Sequence, residues 1–333
     1  MTDYLLPSEI PHELLIKSQE ATNQDYGKSP SERTVVELLE NGVIFLDKPS
    51  GPTSHEVAAW LKKVIGIDKV GHGGTLDPKV TGILPCAIGS QAPKAIKALQ
   101  AAGKEYVCII KFHKEQSQRA MEKAFEVFSG AIIQRPPLRS NVARKLRVRH
   151  IYYTQLLEVQ ESLALFRIGC EAGTYIRKYC YDIGEALLCG AHMAELRRTK
   201  VGSINEDLPI VTLQTVADAM YYHREGDDEL LQKVLYPIEK AVQYIPKIVL
   251  RDAAVDAICH GADLAAPGAL EIDATIKTGD EISFMTQKGE LVAFGESTHN
   301  ANEILRMPNG IVAKTTRVFM ERGTYPQMWG KNQ

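Results

Sequence analysis

The sequence lacks the features that would place it in a membrane, in a secretory pathway or around a zinc ion. No apolar run approaches the roughly 18 residues of a membrane span, and the start Met1-Thr2-Asp3-Tyr4 lacks the basic-then-apolar pattern of a signal peptide. The six cysteines lie far apart, and none forms a C-x-x-C pair. We therefore expect a soluble cytoplasmic protein with reduced thiols and no contact with a membrane.

A strong overall charge is also missing. The chain carries 39 Lys and Arg against 41 Asp and Glu, a formal net charge of −2. This balance gives no global sign of nucleic-acid binding, so an RNA surface would require local segregation of basic residues. With 44% hydrophobic residues over 333 positions, the composition is that of an ordinary globular protein. Its length predicts about two domains.

One loop is the strongest candidate for chemistry, and it reads Gly71-His72-Gly73-Gly74-Thr75-Leu76-Asp77-Pro78. The glycines allow the backbone to lie close against a ligand, and Pro78 disfavours a helical conformation at the residue before it. A single carboxylate, Asp77, is thus presented on a stiff loop. Spacing alone favours an ordinary loop, and no dinucleotide-binding or P-loop context surrounds it.

Hydrophobic patterns predict regular structure on both sides of this loop. A buried strand is expected at 43–46, followed by a helix that Thr53 or Ser54 caps. The apolar stripe of that helix should face the core and consists of Val57, Trp60, Leu61, Val64 and Ile65. From about Pro246, short alternating runs separated by turn residues predict a small β-barrel.

A basic segment follows the predicted helix at 117–128. Residues 130–157 contain six Arg or Lys and no Asp or Glu. Four of the six fall within six positions, next to two tyrosines: Arg144, Lys145, Arg147 and Arg149. Charge runs are often only solvated faces, but a run of one sign beside aromatic residues favours a surface that contacts phosphates. Pro136-Pro137 predicts that it projects as a loop before entering a strand.

The Asp77 loop resembles the catalytic motif of the TruB-type pseudouridine synthases, and more closely that of the branch containing dyskerin and its archaeal homologues. Segments 47–57, 103–107, 173–177 and 194–198 resemble further motifs of this family in the family's order. Residues 258–268 resemble a PUA domain, a small RNA-binding barrel. The N-terminal segment and the short linker at 106–135 favour the guide-dependent branch, and the lack of Lys-rich tails favours an archaeal form.

The resemblance implies an α+β fold in which a mixed-sheet pseudouridine synthase catalytic domain is joined to a small C-terminal β-barrel, the PUA domain. We expect an N-terminal arm at 1–34, the catalytic domain at 35–245 and the PUA RNA-binding domain at 246–322.

The resemblance also implies roles for individual residues. Asp77 is expected to be catalytic, and Tyr106 to stack on the uracil or to help move its C5 proton. Arg177 is expected to pair with Asp77 in a buried site, because burial alone would raise the pKa of the carboxylate. Tyr175 and Leu196 would line the pocket, although both are equally compatible with plain core positions. His72 would pack against the RNA or fill the space that the flipped base leaves, and the four basic residues at 144–149 would contact RNA. No metal or cofactor is implied, since uridine and pseudouridine are isomers.

The partners implied for this branch are an H/ACA guide RNA, target ribosomal RNA and small accessory proteins of the H/ACA particle. Transfer RNA is a second substrate class. One alternative is a stand-alone transfer-RNA pseudouridine synthase, which would act without a guide. Another is a non-catalytic RNA-binding scaffold, against which the joint presence of Asp77, Tyr106 and Arg177 argues.

Overall fold

The computed structural model describes residues 4–136 and 145–328, and the chain divides into two compact units. The first unit comprises Met1–Ile10, Ile44–Ile88 and Ile96–Val234. The second unit comprises Pro11–Val43, Gly89–Ala95 and Leu235–Gln333.

The helices of the described residues are, in chain order, α1 (Val35–Asn41), α2 (Ser54–Ile65), α3 (Ala92–Ala95), α4 (Gln118–Val127), α5 (Ile176–Ala186), α6 (Leu213–Arg224), α7 (Glu229–Val234), α8 (Glu239–Val242), α9 (Asp252–Cys259) and α10 (Ala301–Arg306). Single 3₁₀ turns occur at Pro7–Glu9, Pro30–Glu32, Ile96–Gln100 and Ala266–Gly268. Among the described residues, no helix is both long and apolar enough to cross a lipid bilayer.

The strands are β1 (Leu14–Ile16), β2 (Gly42–Lys48), β3 (Val70–His72), β4 (Thr81–Ile88), β5 (Lys104–Phe112), β6 (Gly130–Gln134), β7 (Arg147–Gln160), β8 (Leu163–Cys170), β9 (Ala191–Val201), β10 (Ile204–Asn205), β11 (Tyr236–Pro237), β12 (Lys247–Leu250), β13 (Leu264–Ala265), β14 (Ala269–Asp273), β15 (Glu281–Met285), β16 (Leu291–Ser297) and β17 (Ile311–Val318).

Helix α2 shows how local sequence sets an element. The Thr53 hydroxyl accepts the Glu56 backbone N–H at 3.1 Å, and the Glu56 carboxylate accepts the Thr53 backbone N–H at 2.7 Å, which forms a capping box. Val57 and Leu61 are buried as predicted. The core assignment of Trp60 is wrong, because its side chain is 44% exposed at the edge of a stripe narrower than predicted.

The first unit is built on a mixed sheet whose strands follow the order β2-β4-β9-β5-β8-β7-β6, with β3 added to β4 and β10 added to β9. Strands β4 and β9 are parallel, whereas β9, β5, β8 and β7 pair antiparallel in succession. Phe112, Phe125, Phe166 and Tyr179 belong to the buried cluster that joins α4 and α5 to this sheet. The α+β fold with a mixed catalytic sheet is confirmed.

The second unit contains the β-rich fold predicted from about residue 246. Its strands follow the order β1-β14-β12-β15-β16-β17-β13, around a core that includes Phe284. Strand β1 pairs antiparallel with β14, and the Lys17 ammonium donates to the carbonyls of Ile304, Leu305 and Met307. Part of the segment expected to form an N-terminal arm is therefore an edge strand of this unit.

Candidate active site

Asp77 and Arg177 meet at the surface of the first unit. One Arg177 nitrogen, Nη2, donates to Oδ2 of Asp77, so the structure brings together the carboxylate and the arginine that the sequence paired. The expectation that this pair is buried is wrong, because the side chains are 59% and 54% exposed. Arg177 lies in the first turn of α5. Water, or a substrate, therefore has direct access to both groups.

A buried lysine holds the chain just after Asp77. Lys48, at the end of β2, is fully buried, and its ammonium donates to the carbonyls of Pro49, Pro78 and Val80 at 2.8, 2.9 and 2.9 Å. Burial lowers the pKa of Lys48, and the charge of Asp77 opposes that shift. Sequence reasoning missed this residue, although its place between a buried strand and a proline turn was a usable signal.

The start of α2 fixes the chain just before Asp77. The Leu76 N–H donates to the Ser54 hydroxyl at 2.8 Å, and that hydroxyl donates to the Leu76 carbonyl at 3.2 Å. The Gly51 N–H donates to the Pro78 carbonyl at 2.9 Å. The carboxylate is thus carried by a loop that is hydrogen-bonded on both sides, as a positioned catalytic group requires.

A second buried cation, Arg198 on β9, lies beneath the same loop. Its side chain donates to the carbonyls of Ile83 and Gly74 at 2.9 and 3.1 Å, and the residue is 1% exposed. Gly82 pairs with Arg198 across β4 and β9, has φ of +102°, and would place a Cβ 2.2 Å from the Arg198 carbonyl oxygen. Only glycine fits at that position.

Tyr106 lies opposite Arg198 in the register of β5 and β9. Burial raises the pKa of Tyr106, while the charge of Arg198 and a hydrogen bond from it act in the opposite direction. Asp77 is close enough for its charge to raise the same pKa further. Tyr106 therefore lies within electrostatic reach of Asp77 and of Arg198, a cation to which the resemblance gave no role.

His72 is half-buried beside the glycine loop. Its ring packs edge-to-face on His55, with centroids 5.0 Å apart and planes at 86°. Burial lowers the pKa of His72, and the nearby His55 and Arg198 lower it further. The imidazole is therefore biased toward its neutral form, which suits packing against a base.

Tyr175 and Leu196 occupy different surroundings. The Tyr175 N–H donates to the Gln134 side-chain carbonyl at 2.9 Å, and the Gln134 amide donates to the Tyr175 carbonyl at 3.2 Å, which ties the start of α5 to β6. Leu196 faces Cys108 across β9 and β5 and packs against the core of the first unit. Both side chains are half-buried, as residues at the wall of a site would be.

The basic segment is only partly described, because Arg144 lies outside the described residues. Lys145 is exposed, and Arg147 begins β7 opposite Gln134. The side chain of Arg149 is 19% exposed and lies 3.3 Å from the Glu171 carboxylate. Arg149 thus forms an ion pair within the protein, whereas the side chain of Lys145 is exposed to solvent.

Sequence models of known families cover nearly the whole chain. The model described as "TruB family pseudouridylate synthase (N terminal domain)" matches residues 62–176, and "tRNA pseudouridylate synthase B C-terminal domain" matches residues 177–243. The PUA domain matches residues 246–319, and the DKCLD (NUC011) domain matches residues 6–58.

Among curated proteins, the chain is 51% identical over 329 residues to the "Probable tRNA pseudouridine synthase B" of Methanosarcina barkeri, covering 98% of this chain and 97% of that protein. It is 47% identical over 329 residues to the protein of the same description from Pyrococcus furiosus, covering 98% and 96%.

Among solved structures, the chain is similar to one in a Cbf5-Nop10-Gar1 complex, with 47% identity, a TM-score of 0.94, and coverage of 97% of this chain and 98% of that one. It is also similar to a chain in an H/ACA RNP bound to a substrate RNA containing 2'-deoxyuridine. There the identity is 44%, the TM-score is 0.92, and the coverage is 98% and 100%.

Proposed function

The chain belongs to the TruB family of pseudouridine synthases, and on that basis we propose that it is the catalytic subunit of an H/ACA guide-RNA particle. It is an RNA pseudouridine synthase, an isomerase that converts uridine to pseudouridine. The proposed substrate is ribosomal RNA, with transfer RNA as a second class.

The observation that supports the guide-dependent assignment is the likeness, over nearly the full chain, to the proteins in the Cbf5-Nop10-Gar1 complex and the substrate-bound H/ACA RNP. The match of residues 6–58 to the DKCLD domain supports it independently. The proposed partners are an H/ACA guide RNA, the target RNA and small accessory proteins like those in these complexes. Pairing with the guide would supply target specificity, since Asp77 and its neighbours can recognise one nucleotide and not a long sequence.

In the proposed reaction, the target uridine leaves its stack to reach Asp77. Asp77 either attacks the sugar or abstracts a proton from it; in both cases the bond from uracil N1 to the ribose breaks, and the turned base rejoins the ribose through C5, which loses its proton. Arg177 donates to the Asp77 carboxylate and orients it. Tyr106 stacks on the uracil or helps to move the C5 proton, and His72, Tyr175 and Leu196 line the site.

The outer surfaces are proposed to bind RNA. Of the basic segment, Lys145 and Arg147 are the better candidates for phosphate contacts, because Arg149 is engaged by Glu171. The PUA region would anchor one end of a structured RNA through shape and backbone contacts.

The proposed domains are an arm at 1–34, a catalytic domain at 35–245 and a PUA domain at 246–322. A cytoplasmic location is proposed, since all six cysteines are buried and free, which suits a reducing compartment.

A second candidate function is that of a stand-alone transfer-RNA pseudouridine synthase. The descriptions of the curated relatives, which name transfer RNA, favour it. The two functions differ in what the enzyme needs to find its substrate, so they can be separated by one set of assays.

The experiment compares the full chain alone, with guide RNA, and with guide RNA plus accessory proteins, on a ribosomal-RNA fragment and on a transfer RNA. We expect site-specific conversion of the ribosomal fragment only when the guide is present, and more of it with the accessory proteins. Full, site-specific conversion of the ribosomal fragment by the enzyme alone would contradict the guide-dependent assignment. Conversion of transfer RNA only would favour the stand-alone function.

A further inference from the structure

Arg198 and Tyr106 are cross-strand neighbours in the first unit. They lie directly opposite each other in the antiparallel pairing of β9 and β5, next to a register shift between Glu105 and Tyr106. Residues opposite each other on paired strands project their side chains to the same face of a sheet. Arg198 is 1% exposed, so its guanidinium can contact only the protein around it.

The hydrogen-bonding chemistry of the two groups fixes their roles toward each other. A guanidinium only donates hydrogen bonds, whereas a phenol oxygen both donates and accepts. In a contact between these paired residues the guanidinium can therefore only donate, and the Tyr106 oxygen can only accept. Such a contact would direct the one proton of the Tyr106 hydroxyl away from Arg198 and leave it available to another acceptor.

The same guanidinium also holds the Asp77 loop. Its Nη2 and Nε nitrogens donate to the carbonyls of Gly74 and Ile83, which lie on either side of Asp77 in the chain. One rigid, planar group therefore contacts both the strand that carries Tyr106 and the loop that carries Asp77. A lysine could supply the charge at this position but not the fork of fixed donors.

We propose that Arg198 is a positioning residue that orients the Tyr106 hydroxyl and sets its spacing from Asp77. This inference rests on the proposed function, in which Tyr106 faces the uracil.

A double-mutant cycle separates this role from simple support of the loop. Arg198→Lys is made in the wild-type chain and in Tyr106→Phe, and turnover is measured on the RNA that the wild type converts. A misplacement of about 1 Å costs on the order of 10²-fold in rate, so we expect that loss in the wild-type background. In Tyr106→Phe, where no hydroxyl remains to be oriented, the further loss should be smaller by about tenfold or more, and the loss that remains comes from the contacts of Arg198 with the carbonyls of Gly74 and Ile83.

The neighbouring arginine provides a matched control. Arg197 lies on the same strand, but its guanidinium bonds Asp47 at 2.9 Å and Glu206 at 2.6 Å and is 37% exposed. Arg197→Lys should therefore combine additively with Tyr106→Phe. Additive behaviour of Arg198→Lys as well would overturn the proposal, since it would show that Arg198 acts on the loop alone.

A second measurement needs no RNA, so it tests the contact between Arg198 and Tyr106 even if the proposed function is wrong. The full chain is labelled with 3-fluorotyrosine, and the fluorine resonance of residue 106 is assigned by its loss in Tyr106→Phe. Removing the cation in Arg198→Met should destabilise the phenolate, so the pKa of Tyr106 should rise and its resonance should move. If Arg198→Met does not fold, Arg198→Lys tests the geometry instead: it keeps the charge but loses the fork of fixed donors, so the resonance of Tyr106 should still move. An unchanged resonance and titration would overturn the proposal.

Discussion

The exposed ion pair and the two buried cations serve the Asp77 loop in opposite ways. Asp77 and Arg177 each expose more than half of their side chains. Lys48 and Arg198 are almost completely buried. The exposed pair can reach a substrate, whereas each buried cation donates its N–H groups to backbone carbonyls of the loop. The charged groups of Asp77 and Arg177 are thus open to a substrate, whereas those of Lys48 and Arg198 hold the backbone in place through hydrogen bonds.

The two arrangements also differ in what they contribute to stability. Exposed ion pairs contribute about 0–1 kcal/mol, because water and salt screen them. A buried donor satisfies carbonyls that would otherwise cost about 1–3 kcal/mol each when left without a partner. Changes to the exposed pair should therefore affect turnover, and changes to the buried cations should affect both folding and turnover.

The largest expected effect is on turnover in Asp77→Asn. The substitution keeps the shape of the side chain and removes the charge that the reaction needs, so isomerisation should fall by more than about 10⁴-fold. The thermal midpoint and RNA affinity should remain near those of the wild type, because the side chain is 59% exposed. Activity within about tenfold of the wild type would contradict the assignment of Asp77.

Next in size is the effect of Lys48→Met on stability. Methionine fills the buried volume but leaves the carbonyls of Pro49, Pro78 and Val80 without this donor. The free energy of unfolding in urea should fall by about 1–3 kcal/mol or more, and turnover should fall with it.

Lys62→Met is the matched control, since Lys62 is exposed on α2. It should leave both unfolding and turnover close to the wild-type values. Equal unfolding midpoints for Lys48→Met and Lys62→Met would contradict the claim that the buried Lys48 stabilises the protein more than an exposed lysine does.

Arg177→Ala should reduce turnover more than stability. Loss of the partner that orients Asp77 should lower turnover by about 10²-fold, while the free energy of unfolding changes by less than about 1 kcal/mol. Arg177→Lys should recover part of the activity. A stability loss of about 3–5 kcal/mol, as for a buried pair, would show that the site is closed in solution.

The smallest expected effect is on RNA binding by the basic segment. Replacing Lys145 and Arg147 with glutamine should flatten the salt dependence of RNA binding, by about 0.7 in slope per lost contact on single strands. Arg149→Gln is the comparison, since its side chain is 19% exposed beside Glu171. It should leave the slope unchanged. A larger change of slope for Arg149→Gln than for the Lys145 and Arg147 variant would contradict the assignment of the phosphate contacts to Lys145 and Arg147.

Much of the fold was predictable because its signals are local. The capping box at Thr53 and Glu56, the alternation of β15 and β16, and the loop around Asp77 all depend on residues close together in the chain. Trp60 was misassigned, since periodicity identifies an apolar stripe but not the width of the surface that covers it. The exposure of Asp77 and Arg177 was misjudged for the same reason, because it depends on what packs over the loop.

The sequence by itself determined the glycine and proline loop that presents Asp77, the caps and strands around it, and the order of the family motifs. Only the tertiary structure decided which cations support that loop. Arg197 and Arg198 are adjacent in a strand, yet Arg197 bonds Asp47 and Glu206, while Arg198 bonds Gly74, 124 residues away. Successive side chains of a strand point to opposite faces, and the register of β5 and β9 places Tyr106 opposite Arg198, whose guanidinium bonds Gly74 of the Asp77 loop.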